Sequence, residues 1–136
     1  MDPMSERKHA GIGRVLVAVY AVLAMAATGR SFVQIVQRFD EAPLAYSLSA
    51  VAAVVYIVAT VALAMRGDAW RRIALAAVCF ELVGVLVVGT LSLVAPELFA
   101  HDTVWSRFGM GYLFIPAVLP FLGLWWLRAS RERVTA

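Results

Sequence analysis

Apolar residues fill four long runs of this chain, and polar residues fall mostly between them. Within the runs there is neither the two-residue alternation of a half-buried strand nor a single amphipathic stripe. A helix drawn through any of them is apolar on nearly every face, the pattern of a segment surrounded by apolar material. The runs place helices at about residues 12–32, 43–65, 73–94 and 106–127. Crossing a bilayer takes about 20 residues as an α-helix, and the second, third and fourth runs meet that length. The pattern predicts an all-α fold, a four-helix transmembrane bundle forming a single integral membrane domain over 1–136.

The first run has the shortest wholly apolar core, Val15 to Ala27. Basic residues before it and "AMA" at Ala24 to Ala26 also give the outline of a cleaved secretory signal. Against that, Arg30, Gln34 and Gln37 (or Arg38) continue one helix face beyond the core. Met4 is an alternative start, with Met1 to Pro3 an addition ahead of it. The connections "RFDEAP" (Arg38 to Pro43), "RGDAWRR" (Arg66 to Arg72) and "APELFAHDTVWSR" (Ala95 to Arg107) are too short to hold a soluble domain. Pro43 suits the first turn of the second helix. Gly67 ends that helix and Asp68 is placed to cap the third, as Asp102 or Thr103 is for the fourth.

Composition strengthens this picture. The 136 residues are 62% hydrophobic and 15% charged, far from the balance of a soluble domain. A monomer this small cannot hide so much apolar surface in one core. The net charge of +3 does not point to nucleic acid, because the basic residues cluster at the ends of the runs. Nine of the twelve lie before the first helix (Arg7, Lys8, Arg14), between the second and third (Arg66, Arg71, Arg72) and after the fourth (Arg128, Arg131, Arg133). The positive-inside rule then puts both termini in the cytoplasm. Trp70, Trp125 and Trp126 fit an aromatic belt on that side, and Trp105 marks the outer boundary. Cys79, the only cysteine, lies inside an apolar run as a small core residue.

One acid sits within a run. Counting the helical rise from Arg72 puts Glu81 roughly 13 Å deep, near the middle of a core about 30 Å thick. On the same count Tyr56 lies at roughly 15 Å, and Thr60 and Tyr20 at roughly 9 Å. Glu81, Tyr56, Thr60 and Tyr20 thus form an inner polar layer in which Tyr56 is placed to donate to the carboxylate. An ionisable group at this depth faces protein or a water-filled cavity and is a functional candidate. Three readings stand open: a structural hydrogen bond that fixes helix packing, a group that couples protons to a solute, or contact with a partner subunit or a lipid-like ligand. An outer layer of Arg30, Gln34, Tyr112 and Arg107 is a candidate site for an anionic headgroup, with snorkelling or pairing to Asp40 and Glu41 as the alternative. Pro116 and Pro120, with Gly109, Gly111 and Gly123 nearby, predict a kink in the fourth helix, either static or a hinge. Ser49 and Ala53 on the second helix permit close helix approach.

Known catalytic patterns are missing. His9 and His101 both lie outside the runs, so no membrane bis-histidine haem site is present. The chain has no cysteine pair, phosphate loop or nucleophile triad. His101 with Glu97 and Asp102 reads as solvated loop polarity rather than a metal site. No enzyme activity, cofactor or metal is expected.

The stretches "ATGRSFVQIVQRFDEAPLAYSLSAVAAVVYIVATVAL" (Ala27 to Leu63) and "TVWSRFGMGYLF" (Thr103 to Phe114) resemble uncharacterised small four-helix membrane proteins of high-GC Gram-positive (actinobacterial) type. That resemblance implies a bacterial inner membrane and carries no mechanism. Small multidrug transporters share the size, the four spans and one embedded glutamate. Their glutamate is on the first helix, whereas Glu81 is on the third, and the charge bias here is strong. The sequence leads to a non-catalytic, accessory or structural subunit of a larger membrane assembly, with lipid, other membrane subunits or copies of itself as partners. A small proton-coupled transporter using Glu81 and a lipid- or quinone-binding protein are the alternatives.

Overall fold

The computed structural model describes residues 3–135. Met1, Asp2 and the side chains of Arg131 and Arg133, counted above with the first segment and the basic ends, lie outside the described residues. Those residues form four α-helices and no strand: α1 (Pro3–Arg38), α2 (Pro43–Ala64), α3 (Asp68–Val94) and α4 (Ile115–Thr135). Three helices are long and apolar enough to cross a membrane, and α4 joins them if the bent segment before it counts as part of the same span.

Each helix boundary has a local cause. Pro43 opens α2 in its first turn, where a missing N–H costs nothing. Met65 closes α2 in extended backbone, and Gly67 has φ 112°, a left-handed conformation that suits glycine. Asp68 is the first residue of α3 rather than its cap. Gly67 takes the cap position, and its carbonyl accepts the first bond from the Arg71 N–H at 3.0 Å.

The helices pack through small residues. On α2, Ala45, Ser49, Ala52, Ala53, Tyr56 and Ala59 are buried at helical spacing. Ala52, Ala53, Tyr56 and Ala59 share one core with Tyr20, Leu23, Ala24 and Ala27 of α1, and α1 and α2 are the most extensive helix pair of the fold. On α3 the buried face is Ala74, Ala77, Val78, Glu81, Val85 and Val88, again every three or four residues. Gly123 brings α4 against Tyr20 and Val78, where a Cβ would stand at ordinary contact distance, 3.4 Å, from both side chains. Cys79, expected in the core, is exposed on α3, one position beyond the buried Val78.

The basic ends meet. The His9 ring of α1 stacks on Trp126 of α4 at 4.8 Å, and the Trp126 Nε1–H donates to the His9 carbonyl at 2.8 Å. Arg71 of α3 donates from Nη2 to the Leu127 carbonyl at 3.0 Å. The start of α1, the α2–α3 turn and the end of α4 therefore share one end of the molecule.

The fourth run departs from the sequence reading. Instead of one helix over 106–127, Ser106–Tyr112 forms a series of tight turns that bends by 97° into α4. Arg107, Phe108, Gly109, Leu113 and Phe114 all have positive φ. For the bulky non-glycine residues this costs roughly 1–2 kcal/mol each. The turn is closed by bonds from the Phe114 N–H to the Gly109 carbonyl (3.0 Å) and from Leu113 to Met110 (3.2 Å). Pro116 explains the break. Its ring would clash with a helical carbonyl four residues back, at Tyr112, which favours a break at this point. Pro116 instead sits in the first turn of α4, buried against Gly109, while Pro120 lies inside the helix.

The break turns residues 103–106 inward. Trp105, expected at the outer boundary, is 2% exposed and lies over Gly84, where a Cβ would stand 2.6 Å from the ring. Gly84→Leu is therefore expected to unseat Trp105 and cost about 1–3 kcal/mol by overpacking. Denaturant titration in mixed micelles checks this, and adding Trp105→Ala to the same chain should recover part of the loss.

Candidate functional site

Glu81 is fully buried at the middle of α3. Its partner is Tyr20 of α1, whose hydroxyl donates to Oε2 at 2.6 Å. Oε1 is buried with no hydrogen-bond partner among the described residues. The sequence placed Tyr56 as the donor to this carboxylate. Tyr56 instead accepts, at 2.9 Å, from the indole Nε1–H of Trp105. The Tyr20 and Tyr56 rings lie 6.3 Å apart and tilted by 52°, so the two bonds form adjoining halves of one polar core. Thr60 bonds within its own helix, donating to the Tyr56 carbonyl at 2.6 Å, and so braces Tyr56 without reaching Glu81.

Trp105 is the member that sequence reasoning missed. A tryptophan near a span end reads as an interfacial anchor, but its neighbours free it from water. The Thr103 hydroxyl accepts from the Trp105 N–H at 3.1 Å, and the Ser106 hydroxyl accepts from the Thr103 N–H at 2.8 Å. Ser49 of α2 accepts from the Val104 N–H at 3.3 Å. Buried backbone groups need such partners. Thr103 and Ser106 bracketing the tryptophan were the available signal, because their side chains satisfy a non-helical backbone locally.

The four outer-layer residues do not assemble. Arg30 donates to the Asp102 carbonyl at 3.1 Å instead of pairing with Asp40 or Glu41. Gln34 is half-buried with Oε1 unpartnered, Tyr112 is half-buried, and Arg107 is exposed. The Arg107 N–H donates to Ser92 at 2.7 Å. No hydrogen bond joins these four side chains to one another among the described residues. His101 pairs with Glu41 at 3.5 Å and stacks on Tyr46, rather than meeting Glu97 and Asp102.

The chain matches no protein-family model, no curated protein and no solved structure. Its chemistry therefore rests on the site itself. A buried carboxyl and two phenols tie α1, α2, α3 and the inward-turned loop together. Tyr20→Phe should cost about 1 kcal/mol, in the range measured for hydrogen bonds between membrane helices. A double-mutant cycle with Glu81→Met checks this. Most of the Tyr20→Phe loss should vanish once the carboxyl is gone.

Proposed function

We propose that this chain is a non-catalytic multi-pass protein of a bacterial inner membrane, serving as an accessory or structural subunit of a larger assembly. The observation that carries this reading is the outer surface. Only 33–39% of each apolar window is buried within the chain itself. Large apolar residues stand exposed along every helix, among them Val22, Met25, Val54, Phe80, Val83, Val118 and Phe121. Surface of this kind is offered to lipid or to partner helices. The shared position of the basic helix ends supports an orientation with both termini in the cytoplasm.

The polar core fits the same reading. Glu81 has no exposed surface, and its tyrosine bond links two helices. The unpartnered Oε1 is the one observation that favours the rival, a proton-coupled transporter in which Glu81 is the coupling acid.

Purification of the tagged chain in a mild detergent should bring a stoichiometric membrane partner with it, and Glu81→Gln should leave both abundance and partner unchanged. Isolation as a homo-oligomer whose proton-driven solute uptake disappears in Glu81→Gln would replace this reading with the transporter. Reporter fusions at the two termini should both report the cytoplasm.

A further inference from the structure

At the end where the basic segments meet, a cleft of about 910 Å³ opens between the end of α2, the start of α3 and the end of α4. Arg66, Arg71 and Arg72 line it, with Asp68 as the single acid of the lining among the described residues. None of the three guanidiniums has a carboxylate within ion-pair distance among the described residues. Arg71 is half-buried. Its Nη2 is fixed by the Leu127 carbonyl, and its Nε is buried with no acceptor. Arg66 and Arg72 are exposed. Leu63 and Leu127 give the same cleft an apolar wall. A buried guanidinium N–H lacking an acceptor, flanked by two more unpaired guanidiniums, is an arrangement that an anion completes.

We infer that this cleft binds a phosphate-bearing anion, the headgroup of an acidic membrane lipid. Arginine presents planar donors that match phosphate oxygens, and basic pockets between helix ends on the cytoplasmic side suit lipid headgroups. Among the described residues the lining carries two more positive than negative charges, so a headgroup with two phosphodiesters is favoured over one with a single negative charge. The leucine wall takes the first methylenes of the acyl chains, which a soluble anion lacks. This places the headgroup site at the opposite end from Arg30 and Arg107. It rests on the membrane reading above.

The test uses the full chain in a zwitterionic detergent, titrated with cardiolipin, phosphatidylglycerol or phosphatidylcholine and read by native mass spectrometry. Cardiolipin should bind best, with a preference over phosphatidylcholine of roughly tenfold or more. The double variant Arg66→Gln/Arg72→Gln should abolish that preference, and Arg30→Gln/Arg107→Gln should keep it. Arg71→Gln should also lose it. That variant gives up the bond to Leu127 as well, so the exposed pair decides the matter. Equal binding of the three lipids, or a preference that survives Arg66→Gln/Arg72→Gln, would overturn the site. Displacement of bound cardiolipin by excess inorganic phosphate would overturn the lipid as occupant in favour of a soluble phosphate. Release of the wild-type chain from membranes by alkaline carbonate would overturn the membrane reading itself. Lipid indifference in a chain that resists carbonate would overturn the cleft alone.

Discussion

A carboxyl group halfway along an apolar helix must find its hydrogen bond inside the chain, and much of this fold follows from how Glu81 does so. Tyr20 reaches it from α1, which fixes the distance between α1 and α3 at the level of their polar core. With Tyr20 committed to the acid, Tyr56 is left to accept a bond, and Trp105 supplies it. The indole can arrive only if the loop before α4 folds inward. In lipid there is no hydrophobic drive to bring helices together, so packing and interhelical hydrogen bonds carry the association. The bonds at 2.6 and 2.9 Å adjoin one another, with the two tyrosine rings 6.3 Å apart.

The inward loop has its own requirements. Backbone that leaves helical geometry must satisfy its N–H groups locally, and Thr103, Ser106 and Ser49 do this with hydroxyls. Gly84 supplies the space for the indole, and Pro116 ends the helix that would otherwise occupy the loop's path. Four non-glycine residues take left-handed conformations just beyond the loop, where the N–H groups of Arg107, Leu113 and Phe114 donate to Ser92, Met110 and Gly109.

Hydrophobic run length placed both ends of α2 to within one residue and the end of α3 at Val94, while α3 begins at Asp68, five residues ahead of the apolar run, because Gly67 rather than the run sets its start. The inner polar layer was legible as a set of residues but not as a network. Depth counting placed Tyr20 and Glu81 about 4 Å apart along the axis, a gap that a phenol side chain spans, and gave Tyr56 a level but not a direction. Trp105 was misplaced because interfacial and buried tryptophans share the same apolar surroundings in sequence, and only the flanking hydroxyls distinguish them. Cys79 was misplaced because a helix apolar all round gives no sign of which face turns inward. In the outer layer Arg30 donates to a backbone carbonyl, a partner no sequence pattern announces.

The bend before α4 also sets the height of the apolar wall on that side. From Ile115 to the residue before Arg128 the straight helix is roughly 20 Å long, against about 30 Å of hydrocarbon in an ordinary bilayer. The folded segment around Phe108 and Leu113 precedes it in place of further turns of the same rod. On the membrane reading proposed above, a bilayer would face a full-height flank along α2 and α3 and a shorter one along α4. Lipid beside α4 would then thin locally or give way to a neighbour whose own helix matches the shorter height.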